Sequence, residues 1–91
     1  MDRLTEAKSP NTPPERMAEL ATDSNYKVRY NVAGNPKTPE EALKILSKDK
    51  EPGVREEVAK NQFVSEEILQ KLACDPHPMV REVAQIRLSQ L

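Results

Sequence analysis

The apolar positions of this chain follow a pattern that repeats every 26 residues. Sliding the sequence by 26 aligns three blocks without a gap, at residues 9–34, 35–60 and 61–86. The first two blocks agree at ten of 26 positions, and so do the last two. Recurrence at a fixed period is typical of repeat proteins. The identical columns are Glu15, Glu41 and Glu67; Leu20, Leu46 and Leu72; Asp23, Asp49 and Asp75; Val28, Val54 and Val80; and Arg29, Arg55 and Arg81.

Each block predicts a first helix. In block two, Thr38-Pro39-Glu40-Glu41 predicts a helix start with the threonine hydroxyl as N-cap acceptor and proline in the first turn. Leu43 and Leu46 then lie on one face of that helix. Thr12 repeats the start in block one, whereas block three has Val64-Ser65 in place of Thr-Pro.

Each block also predicts a second helix. It begins near Pro52 in block two and carries Val54 and Val58, an apolar pair four residues apart. Block one matches this pair with Val28 and Val32. In block three the pattern slips, because Val80 is followed by Val83 and Ala84, and the longer last helix is expected to cap the stack. Gly34 is interpreted as a helix terminator, and Asn35 and Asn61 as helix-end or turn residues.

A pair of helices this short cannot bury its apolar faces alone, so neighbouring pairs must stack. The sequence therefore predicts one all-α domain, residues 1–91, built as a short helical-repeat solenoid of three two-helix repeats. Repeat one is 9–34, repeat two 35–60, and repeat three with its capping helix 61–91. Residues 1–8 form an N-terminal tail, which either frays or covers the first layer with Leu4. Exposed end layers leave self-association open.

The linked motif Leu-Ala/Ser-x-Asp-x4-Val-Arg-x2-Val-Ala-x-Asn-Pro-x-Thr-Pro runs from Leu20 to Pro39, and most of it recurs from Leu46 to Asn61. It resembles the leucine-rich repeat variant family, within the broader HEAT and armadillo-like helical repeats. The resemblance implies a right-handed superhelix that alternates α-helices with shorter 3₁₀-like helices. The founding type of the family also carries a cysteine cluster for an iron–sulfur centre. Cys74 is the single cysteine here, so no such cluster and no cofactor is expected.

Composition narrows the classes of function. Fourteen basic and fifteen acidic residues give a net charge of −1, which argues against a duplex-binding domain because such domains carry a basic excess. No apolar run approaches the roughly 20 residues of a membrane span. The N-terminus lacks the apolar region of a secretory signal. A lone cysteine, expected to be buried or half-buried, fits a cytoplasmic location.

The recurrent arginines are the first candidate site. Arg29, Arg55 and Arg81 could grip an acidic or phosphorylated partner. A structural ladder with Asp23, Asp49 and Asp75 is the favoured interpretation, because each arginine follows an aspartate by six residues and would pair within its own repeat or with the next. On this hypothesis Arg55→Ala destabilises the fold by leaving Asp49 short of a partner.

No catalytic or metal site emerges from the remaining polar residues. His77 is interpreted as a helix N-cap or loop residue, since it has no nucleophile–base partner. Cys74, Asp75 and His77 lack the spacing of a zinc site. An enzyme is therefore not expected.

A protein-interaction scaffold is the leading functional hypothesis, with another protein as partner and no membrane contact. If the second helices line the concave side, the partner-binding candidates are Lys27, Tyr30, Asn31, Glu56, Glu57, Lys60, Glu82 and Gln85. This face runs from basic and aromatic to acidic. Tyr26 either joins a contact patch at Tyr26–Asn31 or packs where Pro52 and Pro78 lie in later repeats. The alternatives are nucleic-acid binding through that patch, which the net charge disfavours, and a homo-oligomer stacked through its terminal repeats.

Overall fold

The computed structural model describes residues 2–91 of the chain. This part contains seven α-helices, joined by turns, and no strand. An all-α helical-repeat fold is thereby confirmed. The 3₁₀-like helices implied by the family resemblance do not occur among the seven, since both helices of every repeat are α-helical. The helices are α1 (Arg3–Lys8), α2 (Pro14–Leu20), α3 (Tyr26–Gly34), α4 (Glu40–Leu46), α5 (Pro52–Lys60), α6 (Glu66–Leu72) and α7 (Pro78–Ser89).

The helices form two rows. The second-helix row contains α1, α3, α5 and α7. Each of these helices packs against the next, and this row is the more closely packed of the two. The first-helix row, α2, α4 and α6, lies beside it with fewer contacts between its own members. The result is an elongated slab of 38 × 23 × 16 Å.

The N-terminal segment belongs to the second-helix row. Arg3 and Ala7 precede Arg29 and Ala33 by one repeat length, so α1 has the register of a second helix. Ala7 is fully buried, and Leu4 is half-buried against the core. Of the two alternatives for the N-terminal segment, the structure therefore has the one in which Leu4 covers the first layer.

The core repeats with the sequence. Leu20, Leu46 and Leu72 are all at most 2% exposed. In the last layer Val80 and Ala84 are both fully buried, whereas Val83 is half-buried. The expected slip in block three is therefore wrong: Ala84 takes the place of Val58, and the helix keeps its register.

The threonines before the first helices act differently from the prediction. The hydroxyls of Thr12 and Thr38 do not accept a hydrogen bond from an amide. They donate hydrogen bonds to the carbonyls of Glu6 and Val32, each at 2.6 Å. Pro13 and Pro39 occupy the N-cap positions without a side-chain hydrogen bond. The threonine hydroxyl thus adds a second donor to a carbonyl near the end of the preceding helix, which also accepts from the amide of Ser9 or Asn35. Only in block three does a hydroxyl cap the first helix: Ser65 Oγ accepts from the Ile68 amide at 3.2 Å.

The asparagines after the second helices connect adjacent layers, a role that the sequence did not predict. Asn35 Nδ2 donates to the carbonyls of Ala7 and Ser9, both at 2.9 Å. Asn61 Nδ2 donates to the equivalent carbonyls one layer on, at 2.8 and 3.1 Å. Arg87 takes the same position in the last layer and donates to the next pair, at 2.8 and 3.3 Å. These bonds tie each second helix to the one before it.

Candidate interaction surface

The inner arginines are held from two sides. Arg29 Nε lies 2.6 Å from Asp49 Oδ2, and Arg29 Nη1 donates to the Asp23 carbonyl at 2.7 Å. Arg55 repeats this arrangement with Asp75 at 2.8 Å and the Asp49 carbonyl at 2.6 Å. Each guanidinium therefore contacts the backbone of its own repeat and the carboxylate of the following one. Both side chains are largely buried, so neither presents its charge to a ligand.

The two ends of this arginine column differ from its centre. Arg3 pairs with Asp23 at 2.7 Å, but its side chain is 60% exposed. Arg81 donates to the carbonyls of Asp75 and Pro76, and no carboxylate within residues 2–91 forms an ion pair with it. Within residues 2–91, Arg81 is thus the one arginine of the column that is held by backbone carbonyls alone.

Asp75 shows the electrostatics of the ladder. Burial by itself would raise the pKa of its carboxyl group. The hydrogen bonds from Arg55 and from the His77 amide outweigh burial and hold the pKa below its usual value. His77 in turn caps α7, with Nδ1 accepting from the Met79 amide at 3.2 Å. The prediction of an N-cap at His77 is confirmed.

Three adjoining cavities form a groove across the second-helix row. The first, of about 390 Å³, lies among Leu4, Tyr26 and Lys27. It shares Lys8, Tyr30 and Asn31 with the second, of about 230 Å³. The second shares Gly34, Pro36 and Glu57 with the third, of about 200 Å³, which extends to Lys60, Asn61 and Gln62. We call this continuous depression the Gly34 groove.

Gly34 keeps the middle of the groove open. A Cβ atom at this position would lie 2.9 Å from Glu57 Oε1. Lysines occupy the same repeat position in α1 and α5, as Lys8 and Lys60. Gly34 has no positive φ, and α5 ends at the equivalent Lys60 without a glycine. Helix termination therefore does not require Gly34, and its contribution is space.

Charge is distributed unevenly along the groove. Lys60 Nζ lies 3.1 Å from Glu56 and 3.9 Å from Glu57, and the hydrogen bond to Glu56 raises its pKa. The Glu57 carboxylate also raises the pKa of the Tyr30 phenol. At the other end, Lys8 and Lys27 have no carboxylate within 4.0 Å among residues 2–91. One end is thus basic and unpaired, whereas the other has two carboxylates that share a single lysine and is acidic.

The structure brings together five of the eight predicted partner-binding residues. Lys27, Tyr30, Asn31, Glu57 and Lys60 line the groove. Tyr26, 52% exposed, and Tyr30, 41% exposed, both border its wider end. Tyr26 occupies the first helical position that Pro52 and Pro78 hold in later repeats, but much of its ring remains accessible.

The other three candidates lie outside the groove. Glu56 is held beside it by Lys60. Gln85 donates to the Ala73 carbonyl at 3.2 Å within its own repeat. Glu82 lies on α7 between the exposed side chains of Met79 and Ile86, so the last part of this face is largely apolar rather than acidic.

Sequence reasoning missed Leu4, Lys8 and Gly34 as groove residues. It placed Leu4 and Lys8 in a tail, although the arginine and alanine columns extended back to Arg3 and Ala7 would have identified the extra helix. The expectation for Cys74 was also wrong: its side chain is exposed, not buried, because it lies in the turn after α6. Within 2–91 no group of three or more His, Cys, Asp or Glu residues is placed to hold a metal ion.

The two rows of helices and their linked polar columns define a helical-repeat protein. The family model of the Leucine Rich Repeat Variant domain matches residues 1–62, about two thirds of the chain, and the chain therefore belongs to the leucine-rich repeat variant family. Neither the comparison with curated proteins nor that with solved structures gives a match. Among the described helices, none combines the length and apolar character of a membrane span.

Proposed function

We propose that this chain is a protein-interaction module that binds a segment of another protein in the Gly34 groove, and that it acts by binding rather than by catalysis. The observation that carries the proposal is the coincidence of an open groove, two accessible tyrosines and two unpaired lysines at one place. Aromatic side chains are enriched where proteins contact partners. We place this activity in the cytoplasm, because the exposed free thiol of Cys74 suits a reducing compartment.

A rigid frame supports this role. The buried Arg–Asp pairs and the asparagine bonds hold α3 and α5 against their neighbours. No buried side-chain nitrogen or oxygen in the described chain lacks a hydrogen-bond partner. A groove on such a frame needs little reorganisation before binding, which reduces the entropic cost of association.

Site-specific photo-crosslinking tests the proposal. A photoreactive amino acid at Asn31 lies in the groove, whereas one at Ile45 lies on the exposed side of the first-helix row. We expect discrete protein adducts in native extract from the Asn31 probe and none of these from the Ile45 probe. The same adducts from both positions, or none from Asn31, would contradict binding in the groove.

Nucleic-acid binding through Tyr26–Asn31 is a second candidate, favoured by the unpaired lysines beside accessible tyrosine rings, on which bases can stack. Glu56 and Glu57 stand next along the row and would repel a phosphate backbone. Affinity for a single-stranded oligonucleotide that falls steeply with added salt would favour this candidate over protein binding.

A homo-oligomer stacked through its terminal repeats is a third candidate, favoured by the exposed apolar side chain of Leu91 beside the last helix. Apolar end layers promote stacking of solenoids. Light scattering at two protein concentrations separates this candidate from a monomeric binder, because the mass of an associating chain rises with concentration.

A further inference from the structure

We infer that the partner segment is an extended stretch of polypeptide that places an apolar side chain in the wide end of the Gly34 groove and a carboxylate against Lys8 and Lys27. This inference rests on the proposed function and specifies the chemistry of the partner. Three features of the groove support it: the composition of its wide end, the pairing of its charges and its direction across the helices.

The wide end provides room and an apolar lining. Leu4 and the rings of Tyr26 and Tyr30 border a cavity of about 390 Å³, within the range of cavities that hold small ligands. A leucine or phenylalanine side chain would bury apolar surface against all three. Tyrosine is well suited to such a contact because its ring is apolar and its hydroxyl can remain in water.

The charge pattern selects for an acidic neighbour. Lys8 and Lys27 line this same cavity and lack carboxylate partners among the described residues, so a carboxylate of the bound segment would be their first. At the other end Lys60 pairs with both Glu56 and Glu57, which leaves one negative charge in excess. A run of phosphates would gain the two lysines but would then meet the two glutamates. A peptide with one acidic position avoids that conflict.

The direction of the groove favours an extended segment. It runs along α3 from Tyr26 in the first turn to Gly34 in the last, and then crosses to Glu57 and Lys60 of α5. Eight helical residues rise about 12 Å and packed helices are about 8–10 Å apart, so the path covers on the order of 20 Å, or about six residues of extended chain. A straight helical ligand would not follow the change of direction between α3 and α5, whereas an extended chain can.

Selection from a library of random octapeptides displayed on phage tests the inference. We expect the enriched peptides to carry Asp or Glu next to a leucine or aromatic residue. The selected peptide, labelled with fluorescein, is then titrated with the full chain and its anisotropy measured. Lys27→Glu should weaken binding at least about tenfold. A carboxylate in the first turn of α3 is compatible with the helix dipole, so this variant should fold.

The matched control is the double variant Lys48→Glu/Lys50→Glu, compared with Lys8→Glu/Lys27→Glu. Both double variants change the net charge equally, and Lys48 and Lys50 are exposed and lie beside another cavity, outside the groove. We expect the control to alter affinity less than about twofold. Equal losses in the two double variants would overturn the inference, because they would show only a dependence on net charge.

The remaining outcomes separate the inference from the proposed function. Enrichment of basic peptides, or no enrichment while Asn31 still gives specific crosslinks, overturns the inference and leaves the groove as the binding site. No enrichment together with no crosslinks from Asn31 overturns both. Tighter binding of an eight-nucleotide oligonucleotide than of the selected peptide also overturns both, in favour of nucleic acid.

Discussion

Two regions of the central second helices are built on opposite principles. Near the N-terminal ends of α3 and α5, identical arginines pair with identical aspartates of the next repeat. At the C-terminal ends of α1, α3 and α5, the same repeat position holds a lysine, then a glycine, then a lysine. The first region is closed and buried, whereas the second is an open groove.

This difference shows what recurrence means in a repeat protein. A residue that contacts its equivalent neighbours in every layer is constrained in every layer, so its column is uniform. A residue that faces outward is free to vary between layers. The uniform columns therefore identify the frame, and the irregular positions beside them indicate the binding surface.

Arg55→Ala, a break in the closed region, should have the largest effect on stability. It leaves the buried Asp75 carboxylate with the His77 amide as its main remaining donor and removes a bond to the Asp49 carbonyl. Loss of one partner from a buried pair costs about 3–5 kcal/mol, and we expect a loss at the lower end of this range because the Arg55 side chain is 13% exposed. Urea denaturation followed by circular dichroism measures this loss.

Arg81→Ala is the control from the same column. Arg81 forms no ion pair among the described residues, so we expect its removal to cost less than about 1 kcal/mol. Equal losses in the two variants would show that the carboxylate contributes nothing. The geometry also corrects the hypothesis drawn from the sequence, because the carboxylate left unpaired by Arg55→Ala is that of Asp75, not of Asp49.

Asn61→Ala should have the second largest effect. Its side chain donates to two carbonyls of the preceding layer and accepts from the Phe63 amide at 2.9 Å. An unsatisfied buried group costs about 1–3 kcal/mol, and we expect a loss of about 2 kcal/mol in the free energy of unfolding. Asn31→Ala is the control, because Asn31 is half-buried and bonds only within its own helix. A loss as large for Asn31 would contradict a role of Asn61 between layers.

Acid should weaken the ladder by a smaller amount. The pKa of Asp75 is lowered by its donors, so its contribution to stability is present above the ordinary carboxyl pKa and is lost as pH falls through the lowered value. Asp75→Asn should therefore be less stable than the parent at neutral pH, and the difference should shrink below about pH 4. Denaturation at the two pH values measures it. A difference that stays constant or grows in acid would show that the carboxylate charge is not what stabilises this junction.

Much of the frame could be predicted from the sequence, because contacts between equivalent layers impose identical residues. Leu20, Leu46 and Leu72 show this for the core, and the Arg–Asp columns show it for the junctions. The prediction for the threonine hydroxyls was wrong because a local start motif does not reveal an acceptor six residues back in the preceding helix. The asparagine bonds span 26 and 28 residues, and a helix-end asparagine has no local feature that specifies such a partner.

The groove was only half predictable. Its tyrosines and Lys27 stand out as a local aromatic and basic cluster in the sequence. Lys8 did not, since the incomplete first layer hid the helix to which it belongs. Gly34 resembled a terminator, because a sequence does not show that a carboxylate from the next layer lies against that position. Open space is produced by neighbours in three dimensions, and a one-dimensional pattern contains little information about it.

Gly34→Ala gives the smallest expected change in stability and the sharpest test of the groove. Alanine is favoured over glycine in a helix by about 1 kcal/mol, but the new methyl group would displace the Glu57 carboxylate, which lies 2.9 Å from it. Because that carboxylate ends a flexible side chain, we expect a net gain of about 0.5 kcal/mol in thermal or urea denaturation. Gly53→Ala is the matched control, since nothing lies within 4 Å of its Cβ position and it lines none of the three groove cavities.

If the groove binds a partner, Gly34→Ala should abolish crosslinking from Asn31 despite this added stability, whereas Gly53→Ala should leave it intact. Loss of crosslinking in both variants would show that helix rigidity, and not the space above Gly34, governs binding.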